Sequence, residues 1–234
     1  MRFDFSSGNP LPAELLEYFR QAEAAGLCDP DLEESLLLAE PDARALSAQL
    51  SFHPLVRILD GVALDDAQTS NHHLYVMAGP LHGSVFFLSH DDGSRVVYAS
   101  LLDYLTQVQL ARDAGSSLEA RHPERAPIGQ DPLALAAWIR SLAHDEEADA
   151  ILPALIPSLD LADHGLLREL AAYEDFYVAE AVARLLEGES GWAEVHELGG
   201  PAAMSYREML AAYRAAQGRA EALWLPLPMP AMLA

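Results

Sequence analysis

The strongest constraint on the fold is a pair of apolar runs joined by a turn. Gly83 to Ser89 (GSVFFLS) is nearly unbroken in hydrophobic character, the pattern of a strand buried on both faces. Asp91-Asp92-Gly93-Ser94 follows, and Gly93 supplies the positive φ that a tight hairpin needs. Arg95 to Ala99 (RVVYA) is a second, β-branched run. Ser100 and Asp103 then make an S-x-x-D signal, whose hydroxyl and carboxylate satisfy free N–H groups at a helix start. The stretch from Thr69 to Leu105 therefore reads as the structural centre of a sheet-and-helix domain.

Helices are expected on the N-terminal side. Pro12 suits a first helical turn, Leu15, Leu16, Phe19 and Ala22 share a face, and Gly26 is a stop. Asp29-Pro30 starts a second helix through Leu32, Leu36 and Leu37, and Pro41-Asp42 a third that runs to about Leu50. After His53-Pro54 the pattern shortens. Leu55 to Leu59 and Val62 to Leu64, broken by Asp60-Gly61, suggest strands and a turn, and His73 to Met77 adds another strand. Short connections make the sheet antiparallel. The helix after Ser100 places Leu101, Leu105 and Val108 on one side and stops at Gly115.

Residues 119–130 are polar and rich in proline, and are the expected linker between an α+β domain (1–118) and a helical domain (131–218). Asp131-Pro132 caps a helix with Leu135, Trp138, Ile139 and Leu142 inward. Ile151 to Ile156 continues, divided or kinked by Pro153 and Pro157. Leu166, Leu167 and Leu170 mark another helix, and Val178, Val182, Leu185 and Leu186 the next. Ser205 and Glu208 make a capping box before Met209, Leu210 and Tyr213, with Gly218 as the stop. These helices resemble HEAT-like pairs without a strict period. The tail, 219–234, alternates proline with large apolar residues and is expected to pack along the body.

Charge narrows the partners. The 234 residues carry 36 acidic and 14 basic side chains, all arginine, for a formal net charge of -22. Such a surface repels phosphates and anionic headgroups, which argues against nucleic acid or membrane binding. It steers a basic partner inward, and it also keeps a protein soluble with no partner at all. Two acidic groups are candidate partner-binding positions: Asp65 and Asp66 between strands, and Asp145, Glu146, Glu147 and Asp149 at a helix start, where carboxylates also favour the macrodipole. A single cysteine, Cys28, excludes an intramolecular disulfide and a cysteine-rich zinc site. It sits before acidic residues (Asp31, Glu33, Glu34) that raise a thiol pKa. The start lacks a signal-peptide pattern and no run approaches membrane-spanning length, so a cytoplasmic protein is expected.

Catalytic chemistry finds little support. His72, His73, His82 and His90, with Asp91, have metal-ligand character, and a metal-dependent hydrolase built on them is one alternative. Adjacent strand residues such as His72 and His73 point to opposite faces, however, and the spacing fits no metal motif. Ser70, Ser84, Ser89 and Ser100 lie outside any G-x-S-x-G, and no phosphate loop with its lysine is present. No cofactor, metal or catalytic residue is expected.

The helix LPAELLEYF, the strand GSVFFLSHDDG and the following YASLLDYL are similar to one known family. Ser100-Leu101-Leu102-Asp103-Tyr104-Leu105 resembles the S-F-x-E-F-L ending of the SMI1/KNR4 (SUKH) family, over roughly residues 8 to 113. The resemblance implies an α+β domain that binds proteins. In bacteria it implies immunity against secreted toxins, many of them nucleases, and it carries no catalytic residues. The expectation is a non-enzymatic protein-binding protein with a protein partner, a basic toxin being one. A regulatory scaffold that binds through its helical half is a further alternative.

Overall fold

Four short strands pair antiparallel in chain order: β1 (Val62–Ala63), β2 (His72–Tyr75), β3 (Val85–Leu88) and β4 (Arg95–Tyr98). They belong to a computed structural model that describes residues 10–28, 37–66, 70–91 and 93–195, with side chains to residue 186. Tyr75 lies opposite both Val62 of β1 and Val85 of β3, and His73 lies opposite Phe87. A bulge between Val85 and Phe86 shifts the last ladder, so that Phe87 faces Arg95 while Val85 faces Tyr98. Arg95 and Tyr98, three residues apart, thereby reach the same side of the sheet as His73. Every residue of β2 and β3 is buried, as expected for an apolar run covered on both faces. The hairpin turn has Gly93 at φ 83°.

The expected α+β class holds, and eight α-helices surround or follow the sheet among the described residues. They are α1 (Ala13–Ala24), α2 (Glu40–Leu50), α3 (Pro54–Leu59), α4 (Leu101–Ala114), α5 (Pro132–Leu142), α6 (Ala148–Leu155), α7 (His164–Ala171) and α8 (Phe176–Val195). In α1 the buried face is Leu15, Tyr18, Phe19 and Ala22; Leu16 turns outward, because Tyr18 takes the inward position beside Phe19. Helix α4 starts as its signal implies: Asp103 N–H donates to Ser100 Oγ (3.1 Å), and Ser100 donates to the Asp103 carboxylate (2.8 Å). It ends at Gly115 in the left-handed conformation. Its buried face centres on Tyr104, Val108 and Ala111.

Leu55 to Leu59 is helix α3, not a strand. Pro54 occupies its first turn, His53 Nδ1 accepts from Leu55 N–H (3.2 Å), and Asp60 closes it in the left-handed region. The local turn signal was sound, but it ends a helix. Residues 29–36 of the second expected helix, the Ser205 capping box and the proline-rich tail lie outside the described residues, while Leu37, expected at the end of that helix, is extended and bridges Asp65.

The domain boundary also falls elsewhere. The chain divides into two units between Ala162 and Asp163. The expected linker at 119–130 and the first two helices beyond it belong with the sheet. Helix α5 packs on the 3-10 turn Gly79–Leu81, where Gly79 (φ 72°) faces the Trp138 indole so closely that a side-chain Cβ there would lie 3.3 Å from the ring. Helix α6 packs on α3 and β4, and Gly129 N–H donates to the Ser158 carbonyl (3.1 Å). The physical reason is the sheet's apolar surface, which needs Leu135, Ile139, Ile151, Leu152 and Leu155 to cover it. In the second unit α7 and α8 pack together, with Leu166, Leu167, Leu170, Val178, Val182 and Leu186 buried. Among the described residues no helix is long and apolar enough to cross a membrane.

Candidate functional site

The polar groups that converge in this fold do so beneath α4. Asp65 follows β1 and forms an antiparallel bridge with Leu37. Leu64 N–H donates to His73 O (2.8 Å), while the Leu64 carbonyl accepts from Leu38 N–H (3.0 Å). The His73 N–H is taken instead by Asp65 Oδ1 at 2.8 Å, so a side chain closes the end of the β1–β2 ladder. The second carboxylate oxygen accepts from His73 Nδ1–H (2.5 Å) and from the Tyr104 hydroxyl (3.1 Å). Asp65 is 7% exposed and His73 3%, and both Tyr104 and Tyr18 beside it are fully buried.

The chain of contacts continues outward. His73 Nε2 lies 2.8 Å from Nε2 of His122, in the segment after α4. The His122 ring packs edge-on against Phe87 and Tyr98, and Arg95 donates from Nη2 to the next carbonyl, Pro123 O (2.7 Å). Arg95 Nη1 and the Tyr98 hydroxyl are buried with no hydrogen-bond partner among the described residues. The network therefore runs from β1 through β2 to the 119–123 segment, flanked by β4 and α4.

Its electrostatics follow from burial. Loss of water raises the Asp65 pKa, but the charge and hydrogen bonds of His73, with the Tyr104 hydroxyl, outweigh it and hold the carboxyl below its ordinary value. Desolvation, aided by His73 and Arg95, pushes His122 down to about 3, so that ring is neutral at neutral pH. Burial and then the Asp65 charge lift the Tyr98 phenol to about 12 and raise Tyr104. Since Asp65 is ionised and only accepts, His73 Nδ1 must carry a proton.

The histidines of the hydrolase alternative are not brought together. His73 is committed to Asp65 and His122. His72 is on the opposite strand face, with its Nδ1 buried and unpartnered among the described residues. His82 lies half-exposed, 3.9 Å from Glu14, which also accepts from the Tyr75 hydroxyl. His90 is exposed; its ring lies 3.3 Å from the neighbouring Asp91 carboxylate, and its backbone N–H donates to Asn71 Oδ1 (2.9 Å). Among the described residues no three of His, Cys, Asp or Glu gather as ligands. The His73–His122 nitrogens are too close for an ion between them, because two Zn–N bonds at a tetrahedral angle hold nitrogens about 3.3 Å apart. A small cleft lined by Leu81, His82, Ser84, Val96 and Ile128 offers no carboxylate, and the Ser84 hydroxyl is spent on Leu81 O (2.6 Å). Burial, then Glu23 and Asp42, raise the Cys28 thiol: the expected direction, from other carboxylates than Asp31, Glu33 and Glu34, which lie outside the described residues.

The candidate partner-binding acids separate. Asp65 has no surface to present, since its oxygens are used inside. Asp66 is partly exposed. Asp145 and Glu146 are exposed in the turn before α6, Asp145 accepting from Glu147 N–H (3.0 Å), while Glu147 pairs with Arg57 of α3. Asp149 is exposed in the first turn of α6. His122, Tyr104, Tyr98 and Arg95 were missed by sequence reasoning. A histidine before proline in a polar stretch is the one local hint, and nothing local ties it to a strand 49 residues away. No protein-family model matches the chain, and no curated protein or solved structure matches it significantly.

Proposed function

We propose that this chain is a non-enzymatic, cytoplasmic protein-binding protein of the SMI1/KNR4 type, which neutralises or regulates a basic protein partner such as a toxin. One observation supports it above the others: the converging polar side chains Asp65, His73, Tyr104 and His122 are turned on one another inside the fold, while the other acidic side chains among the described residues are partly or fully exposed. A catalytic constellation needs a reacting group open to a substrate-sized space, and here the carboxylate and first imidazole have none. The antiparallel sheet with helices on either side in sequence agrees with the resemblance at YASLLDYL. Exposed Asp145, Glu146 and Asp149 form a patch that attracts a basic surface and speeds its docking.

The test is a pull-down from lysate of the source cells with the immobilised full chain, at low and at raised ionic strength, with neighbouring genes inspected for the captured protein. A basic partner should be retained at low salt and released as screening shortens the electrostatic range below about 10 Å. Enrichment of nothing beyond what an unrelated protein of equal negative charge captures would overturn the reading.

A further inference from the structure

The contact between His73 and His122 is built for one proton. Two ring nitrogens 2.8 Å apart share a single N–H, donated by either ring and accepted by the other's lone pair. If both rings are cations, two N–H groups face each other across that distance and two like charges meet in a desolvated place. His73 Nδ1 is already held as a donor by Asp65, so the inner ring has no freedom to turn its other nitrogen outward. The strain of a second proton must therefore be relieved at His122.

His122 sits on a segment that runs outside the strands and α-helices, tied to the end of α4 by Arg121 through Ser116 Oγ (3.4 Å) and Leu110 O (3.5 Å). Beyond the histidine contact, the 119–123 segment meets the sheet side through Arg95 to Pro123 O and through an exposed bond from Asn71 to Glu119 (3.1 Å). Burial, His73 and Arg95 oppose a charge on the His122 ring, and Asp65 favours one. Arg95 of β4 is cationic, Tyr98 of β4 and Phe87 of β3 are neutral rings, and His73 of β2 is the partner ring. Asp65 alone is negative, and it lies behind His73, where it is engaged with that ring first. The neutral state of His122 enforced by this setting agrees with its strongly lowered pKa.

We propose that the His73–His122 contact is a one-proton latch, which keeps the 119–123 segment on the sheet while His122 is neutral and releases that segment on acidification. Opening uncovers Phe87, Tyr98 and Arg95, an aromatic and basic patch on a chain that is otherwise strongly acidic. The inference stands apart from the choice of partner and uses only this unit's own contacts.

Amide hydrogen exchange on the full chain, followed from pH 7 to pH 4 and expressed as protection factors, reads the latch directly. Protection of the amides at 119–123 should fall about tenfold per pH unit below about 6.5, one proton being taken up on opening. The amides of β2 and β3 should stay far better protected than these at every pH, losing protection only in step with global stability. His122→Phe keeps the packing on Phe87 and Tyr98 and should remove the pH slope; His122→Gln keeps a donor to His73 without a titrating ring and should do the same if the first variant fails to fold. Imidazole nitrogen NMR on the unaltered protein gives an independent reading, with His122 staying neutral down to the pH at which the segment opens. A slope that persists in either variant, a segment that opens only together with the sheet, or a His122 that protonates near 6.5 with the segment still protected would overturn the latch.

Discussion

Asp65 shows how one carboxylate can replace main-chain pairing at the end of a ladder. It accepts the His73 N–H that Leu64 O would otherwise take, and it also fixes the His73 ring and the Tyr104 hydroxyl. Removing it leaves those three donors without their acceptor inside the fold, and breaking a buried pair in this way costs about 3–5 kcal/mol. Asp65→Ala should therefore lower unfolding free energy in urea by that amount, with an unchanged m-value, whereas Asp91→Ala at a fully exposed carboxylate should stay within about 0.5 kcal/mol. The pH dependence has two windows. His122 has a folded pKa below its ordinary 6.5, so the unfolded chain binds its proton first and stability declines as pH falls below about 6.5. Asp65 has a folded pKa below its ordinary 3.8, so its contribution is full above that value and is lost as pH falls through the lower folded one. Urea midpoints should therefore drop in two stages, and His122→Phe should remove the upper stage only.

At the level of elements, side-chain ties set where helices meet the sheet. Ser47 on α2 is fully buried; its hydroxyl donates to Ala43 O (2.6 Å) and accepts from Ala63 N–H of β1 (2.8 Å). Ser47→Ala leaves a buried strand N–H unpaired and should cost about 1–3 kcal/mol in urea unfolding. Ser100→Ala removes an exposed cap from α4 and should cost about 1 kcal/mol. The second of these ties is legible in the sequence, because a cap acts on its own helix three residues away. The first is not, since Ser47 and Ala63 are joined only by the fold. The same division explains the rest. The strands at Val85–Leu88 and Arg95–Tyr98 announce themselves by run length, a turn and β-branching, and their helix by its cap. Leu55–Leu59 misleads because a short apolar run fits strand or buried helix equally, and Pro54 with the His53 cap decides it. His122 is invisible because its partner is set by tertiary packing alone.

Across the whole molecule, the decisive question is which helices the sheet needs. Composition places the break in the polar stretch 119–130, but polarity there reflects a strap laid across the sheet unit, held by His122, Pro123 and Gly129. A segment that supplies main-chain and ring contacts to a sheet is part of its domain, however loop-like its composition. Helices α5 and α6 then bring Leu135, Ile139, Ile151 and Leu152 into the same core, all at most 2% exposed. Removing them bares the apolar surface they cover, at roughly 25 cal/mol for each Å² returned to water. A chain ending at residue 118 should therefore fail to fold cooperatively and should bind a dye for exposed apolar surface. A chain ending at residue 162, where the first unit closes, should keep a sharp urea transition and the near-ultraviolet signal of Trp138 against Gly79. Equal cooperativity in the two truncations would show that α5 and α6 are accessories, and would return the boundary to the polar stretch.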